Sequence, residues 1–145
     1  MKFSFNKSLL GGVILAASFG VSSIYAEVAV VVHPGNSTAK LTKSEVKRIF
    51  LGKSRKFPNG EKAIPIDQGA GTKSRANFYS SVVKKTESQL KSYWSRIIFT
   101  GKGQPPRQEG DDGSVKKLVS SNPNLIGYMD AGSVDGSVKV LLKVN

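Results

Sequence analysis

The residues whose types and spacing best suit chemistry form a glycine-rich turn, Gly69-Ala70-Gly71-Thr72, with Arg75 three positions further on. A short apolar run, residues 63–67, precedes this turn, and a segment with a helical spacing of apolar residues follows it. This order predicts a strand, a tight turn and a helix. Such a turn directs free backbone N–H groups and the positive end of a helix dipole toward one place, which suits an anion.

Other reactive residue types give weaker signals. His33 is the only histidine and the chain has no cysteine, so a zinc site or a histidine-based hydrolase lacks a supporting set of residues. We expect His33 to be structural. The sequence Gly-Thr-Lys-Ser at 71–74 lacks the lysine directly after glycine that a P-loop requires. We therefore predict no enzymatic activity, no cofactor and no metal site.

Two charged clusters are interpreted as surface features. Adjacent Asp111 and Asp112 open a predicted helix, where carboxylates cap free N–H groups and complement the dipole. The lysine-rich stretches 53–56 and 84–85 lack the interleaved aromatic residues or the binding module of a nucleic-acid site. We expect no nucleic-acid partner.

The first 26 residues have the pattern of a secretory signal peptide, in which Lys2 and Lys7 precede an apolar stretch and Ala26 ends the segment. Cleavage is predicted after Ala26, to within a residue or two. The alternative is a retained membrane anchor, but the apolar stretch is shorter than the roughly 20 residues of a spanning helix. We predict an exported, periplasmic protein with no membrane span after cleavage.

The domain that follows, residues 27–145, is long enough for one hydrophobic core. Because two lysines lie before the cut and all ten acidic residues lie after it, the domain keeps 20 Lys and Arg and a formal net charge of +10. This charge suits anionic partners such as oxyanions, lipopolysaccharide head groups or an acidic protein, and it also favours solubility. Without cysteine, the exported domain depends on packing rather than on disulfides.

Apolar periodicity and turn residues predict the element order β-α-β-α-α-α-β-β. The first strand, VAVVVH, is a continuous apolar run and is expected to be buried on both faces. Thr42 with Glu45, and Thr86 with Gln89, have the spacing of capping boxes at two helix starts. The residues 101–110 are expected to be irregular. Strands that alternate with helices predict an α/β domain with a mixed, mostly parallel sheet flanked by helices.

Three segments, LTKSEVKRIFLGK, IPIDQGAGTKSRANFY and NLIGYMD, resemble in this order the type II periplasmic binding proteins of the phosphate ABC transporter class. The resemblance covers about residues 33–144. It implies a single-lobe member of this superfamily, a periplasmic-binding-protein-like domain that matches one of the family's two lobes. In that family the glycine-rich turn binds phosphate through backbone N–H groups and hydroxyls. The matching residues here are Gly69, Ala70, Gly71 and Thr72.

Three positions depart from the family's pattern. Ala70 stands where the family has a serine, Ile66 where it has an arginine, and Gln68 where it often has an acidic residue. Arg75 lies one helical turn further on and is predicted to supply the counter-charge. A hydrogen bond to a charged group contributes roughly 1.5–3 kcal/mol. With fewer donors than the family's turn, this one is expected to bind inorganic phosphate or a related oxyanion only weakly.

The resemblance leaves a second hypothesis open. A single lobe cannot close on a ligand as a two-lobed protein does, and its exposed half-cleft presents a concave surface. On this hypothesis the chain is a ligand-free half-binding protein that acts as a protein–protein interaction module of the cell envelope. Its partner would be another envelope protein or a second copy of itself.

Overall fold

The computed structural model describes residues 27–145, and the predicted signal peptide, residues 1–26, lies outside the described residues. In chain order the elements are β1 (Val28–Val32), α1 (Lys43–Phe50), β2 (Ile64–Asp67), α2 (Lys73–Phe78), a π-helical segment (Tyr79–Val83), α3 (Glu87–Phe99), β3 (Arg107–Gln108), α4 (Asp112–Ser121), β4 (Leu125–Asp130), a 3-10 turn (Ala131–Ser133) and β5 (Lys139–Val144). Among the helices of residues 27–145, none has both the length and the apolar character that a membrane span requires.

The five strands form one sheet in the order β3-β2-β4-β1-β5. β2 is parallel to β3 and β4, whereas β1 is antiparallel to β4 and β5. The expected mixed α/β sheet flanked by helices is confirmed. Its pairings are divided equally between a parallel and an antiparallel half, because β1 lies between the two C-terminal strands and runs against both.

Helices cover both faces of this sheet. α1, α2 with its π-helical extension, and α3 pack on one face, whose core includes Phe50, Phe78 and Tyr128. α4 packs on the other face through Val115 and Val119. β1 contributes side chains to both cores, and each of its residues is at most 1 % exposed. This burial confirms what its continuous apolar sequence predicts.

The helix starts follow the predicted capping signals. The hydroxyl of Thr86 accepts from the N–H of Gln89, and the Gln89 side chain accepts from the N–H of Thr86. Thr42 and Glu45 make the same reciprocal pair at the start of α1. These bonds satisfy N–H groups that have no partner within the helix. The Thr86–Gln89 box fixes the first turn of α3, which carries Glu87.

One part of the predicted irregular segment is ordered as a strand. β3 has only two residues, and it pairs in parallel with the last two residues of β2, Ile66 and Asp67. A strand this short has no periodicity that a sequence pattern can detect. Its pairing brings Pro105 and Pro106, which directly precede it, next to Asp67 at the C-terminal end of β2, where the candidate site lies.

Candidate functional site

The glycine-rich turn joins β2 to α2, and the predicted strand, turn and helix are confirmed. Gly71 has a φ of +90°, which glycine adopts without strain. Thr72 caps α2, with its hydroxyl accepting from the N–H of Arg75 at 3.3 Å. Gly69 donates its N–H to a backbone carbonyl before α4 at 2.8 Å, and Thr72 donates to the Gly69 carbonyl at 3.3 Å. Within residues 27–145 the exposed N–H groups of Ala70 and Gly71 have no acceptor, so they and the Thr72 hydroxyl are the donors that the turn offers.

A surface pocket of about 370 Å³ lies beside the turn. Gln68, Thr72 and the first turn of α2 supply one side of it, and the other side includes three carboxylates from the start of α4 and the end of β4: Asp111, Asp112 and Asp130. Asp112 accepts from the side chain of Gln68 at 2.7 Å. Hydrogen bonds from Ser114 lower the pKa of Asp111. Of the turn residues Thr72 lines this pocket. Because carboxylate acceptors share the pocket with Thr72, an oxyanion that still carries a proton suits it better than one without.

Arg75 lines a different pocket from Thr72. Its guanidinium Nη1 lies 2.5 Å from Asp67 Oδ2, and its Nε and Nη2 donate to the two carboxylate oxygens of Glu87 at 2.9 and 3.2 Å. Burial opposes the charged form, but the bonds to Glu87 and the charge of Asp67 raise the pKa of Arg75 above its ordinary value. The residue predicted as the counter-charge of the turn is therefore engaged by two carboxylates.

Asp67, the last residue of β2, is the acceptor at the centre of a buried network. It is 4 % exposed, and it accepts from the hydroxyl of Tyr79 at 2.6 Å, from the hydroxyl of Tyr128 and from Arg75. Burial and the charge of Asp67 raise the pKa of both tyrosines, so both remain protonated donors. Sequence reasoning missed this residue. Its position at the end of a buried strand could have identified it, because a carboxylate that is buried there must collect several hydrogen-bond donors.

A cleft of about 540 Å³ opens beside the Arg75–Glu87 pair, and we call it the Arg75 cleft. Its other charged and polar groups include Asp67 and, from α3, Ser88 and Lys91. Its apolar surface comes from Leu90, Trp94, Pro105 and Pro106. A guanidinium beside apolar surface is an arrangement that binds small organic anions. In the part of the chain that the structure describes, no group of three histidine or carboxylate side chains is placed to hold a metal ion.

A separate groove of about 650 Å³ lies between the end of α1, the start of β2 and α3. Its apolar residues include Leu51, Tyr93 and Ile97. Four exposed cations, and no carboxylate of the described residues, line it: Lys53, Arg55, Lys62 and Lys102. None of the four makes an ion pair within residues 27–145. We call this feature the basic groove.

The mixed five-stranded sheet with helices on both faces matches a single-domain periplasmic-binding-protein-like fold. An ABC-type phosphate transport receptor from Vibrio cholerae shares this fold with a TM-score of 0.64 and 23 % identity, over 80 % of this chain and 46 % of that chain. A putative phosphate ABC transporter substrate-binding protein from Clostridium perfringens, solved with bound phosphate, gives 0.59 and 24 %, over 80 % and 45 %. PstS from Borrelia burgdorferi gives 0.59 and 17 %, over 80 % and 47 %.

The chain thus spans slightly less than half the length of these neighbours. No family model matches the sequence. At identities below 25 % the likeness establishes the fold, and a shared fold does not by itself carry a ligand from one protein to another.

Proposed function

We propose that this domain is a periplasmic solute-binding domain that takes phosphate or a similar oxyanion at the Gly69–Thr72 turn, in a phosphate ABC transporter-like context. The observation that carries the proposal is the pair of exposed, free N–H groups of Ala70 and Gly71 beside the Thr72 hydroxyl at a helix start. Free N–H groups and the helix dipole stabilise an anion at such a place. The neighbour solved with bound phosphate supports the ligand class.

Binding at the turn is expected to be weak. Ala70 supplies no hydroxyl, and the charge of Arg75 is balanced by Asp67 and Glu87. Three hydrogen bonds to a charged ligand, at about 1.5 kcal/mol each, correspond to a Kd in the millimolar range. This domain on its own therefore suits a high oxyanion concentration.

Calorimetric titration of phosphate into residues 27–145 tests the proposal, with Thr72→Ala as the variant. Thr86→Ala is the matched control, because Thr86 caps α3 as Thr72 caps α2 and its loss has a similar cost of about 1 kcal/mol. We expect Thr72→Ala to weaken phosphate binding about tenfold, and Thr86→Ala to bind like the wild type. No binding at millimolar phosphate, or equal affinities of wild type and Thr72→Ala, would contradict the proposal.

The same titration with sulfate identifies the preferred oxyanion. Phosphate keeps a proton near neutral pH, and that hydroxyl can donate to Asp111 or Asp112 across the pocket. Sulfate has no proton to donate and places its charge against these carboxylates. We expect phosphate to bind more tightly than sulfate, and equal affinities would show that the carboxylates do not contact the ligand.

The basic groove favours a second candidate function, an interaction module for an acidic protein of the envelope. Four cations without ion-pair partners surround apolar surface, which complements an acidic segment that carries an apolar side chain. Phe99, the last residue of α3, does not line the groove but is 93 % exposed, and aromatic side chains are frequent anchors of interfaces. A net charge of +10 opposes association with a second copy. An acidic partner therefore fits this surface better than self-association.

A further inference from the structure

We propose that the Arg75 cleft is a second anion-binding site, and that the Glu87 carboxylate occupies it in the free protein. The ligand class is a small organic oxyanion, such as an alkylphosphonate. This site shares with the proposed function the assumption that the domain binds an oxyanion. It does not require binding at the Gly69–Thr72 turn.

The Arg75 guanidinium is fixed on one edge and meets an exposed residue on the other. Nη1 lies 2.5 Å from Asp67, which the hydroxyls of Tyr79 and Tyr128 also hold. The second edge, Nε and Nη2, meets both oxygens of Glu87 at 2.9 and 3.2 Å. Two parallel bonds of this kind are how arginine binds carboxylates and phosphates. The second edge is therefore a preorganised fork for an oxyanion.

Glu87 differs from Asp67 in what holds it. Its side chain is 66 % exposed, and in the described part of the chain Arg75 is its only hydrogen-bonding side-chain partner. Asp67 has a side chain only 5 % exposed and several donors. An ion pair with an exposed member contributes little net stability, because water competes for its charge. Glu87 can thus leave Arg75 for water, whereas Asp67 cannot.

Lys91 offers the displaced carboxylate a second partner. It lies four residues after Glu87 on α3, and both residues line the Arg75 cleft. A glutamate followed four residues later by a lysine is the favourable orientation for an ion pair on a helix. Lys91 makes no ion pair within residues 27–145 while Glu87 is bound to Arg75. An anion on Arg75 would move Glu87 from one cation to the other.

The walls of the cleft indicate the kind of anion. Trp94, Pro105 and Pro106 place apolar surface beside the guanidinium. The volume of about 540 Å³ lies within the range of small-molecule pockets, which combine apolar walls with a few polar groups. An oxyanion joined to a short alkyl group satisfies the fork and the apolar wall together. Inorganic phosphate satisfies only the fork.

Trp94 is the only tryptophan of the chain and lines both this cleft and the basic groove, so its fluorescence reports anion binding at either place, and the variants below assign the signal to the cleft. We would titrate butylphosphonate and inorganic phosphate into the wild type and Glu87→Gln, with Glu61→Gln as the control at an exposed glutamate outside the cleft. Removing the competing charge is expected to tighten butylphosphonate binding about fivefold in Glu87→Gln. Glu61→Gln should match the wild type, and phosphate should bind less tightly than butylphosphonate.

Two further substitutions, each added to Glu87→Gln, show at which site the gain in butylphosphonate affinity arises. Arg75→Lys keeps the charge but removes the fork, so it should cancel the gain. Thr72→Ala should preserve it, because Thr72 lines a different pocket. A gain that survives Arg75→Lys, or that disappears with Thr72→Ala, overturns the proposal.

The single variant Glu87→Gln is also a sufficient test of the proposed site. Because position 87 is exposed, the variant is expected to fold. An unchanged butylphosphonate affinity in this variant overturns the proposal. The two proposed sites can be refuted independently. Absent phosphate binding at the turn, with the gain intact in Glu87→Gln, removes the proposed function and leaves the Arg75 cleft. Phosphate binding that depends on Thr72, with no gain in butylphosphonate affinity in Glu87→Gln, supports the proposed function and removes the site in the Arg75 cleft.

Discussion

Removal of a tyrosine hydroxyl from the Asp67 network tests whether this buried carboxylate holds the candidate site together. Asp67 Oδ2 accepts from Tyr79 at 2.6 Å and lies 2.5 Å from Arg75, and Oδ1 accepts from Tyr128. Tyr79→Phe and Tyr128→Phe each delete one donor and keep the aromatic ring. The ring of Tyr128 is stacked on Phe78 with 4.0 Å between centroids, and this stack is preserved in Tyr128→Phe.

A hydrogen bond to a charged group contributes about 1.5–3 kcal/mol. Each single change is therefore expected to lower the free energy of unfolding by about 2 kcal/mol, or to lower Tm by about 8 °C at ~4 °C per kcal/mol for a domain of this size. The double variant leaves a buried carboxylate with Arg75 as its remaining side-chain donor among the described residues. Because a buried charge with too few partners is costly, the double change should exceed the sum of the singles by at least about 0.5 kcal/mol.

Urea unfolding followed by Trp94 fluorescence gives the free energies of the four proteins in this cycle. Tyr93→Phe is the matched control, because the Tyr93 hydroxyl donates to the neutral carbonyl of Leu51 at 2.6 Å. Its expected cost is about 1 kcal/mol, less than for a bond to a carboxylate. If Tyr79→Phe and Tyr128→Phe cost no more than this control, or if the double variant equals the sum of the two, then Asp67 does not depend on the two hydroxyls as a buried charge should.

Two further predictions concern core packing and the basic groove. Gly127→Ala places a Cβ 2.5 Å from Val115 Cγ1 and should cost about 1–3 kcal/mol in the same urea assay. Gly136→Ala meets nothing within 4 Å and serves as its control, and an equally small effect of both changes would contradict the close packing of α4 on β4. Lys53→Glu combined with Lys62→Glu should abolish capture of acidic envelope proteins in a pull-down, relative to a double reversal at exposed lysines outside the groove. Undiminished capture would exclude the groove as the contact surface.

The parts of the fold that the sequence predicts are those that local interactions decide. A capping box needs only a threonine and a side chain three residues later, so the starts at Thr42 and Thr86 are visible in the sequence and are confirmed. Gly52, with a φ of +72°, follows the end of α1 in the left-handed conformation that glycine adopts after many helices, and this is again a local signal. The strand, turn and helix around Gly71 are confirmed for the same reason. Binding of an anion at that turn stays a prediction.

The rest of the candidate site depends on contacts between distant segments. Asp67 meets Tyr128 across 61 residues, and Arg75 meets Glu87 across 12. No local spacing selects Glu87 as the partner of Arg75 from among ten acidic residues. The prediction that Arg75 supplies a counter-charge considered only its position one helical turn after Thr72. Its long side chain reaches Glu87 at the start of α3 instead, and only the tertiary placement of α3 determines that.

Net charge and local charge have different consequences for this domain. A net charge of +10 attracts anions from a distance, but it does not decide which anion remains bound. Beside the turn, Asp111 and Asp112 line one pocket with Thr72, and in the Arg75 cleft Glu87 already occupies the guanidinium. An oxyanion must therefore donate a proton to a carboxylate at the first place, or replace one at the second. A basic domain whose anion sites contain acidic groups is expected to attract many oxyanions and to retain only those that meet one of these two conditions.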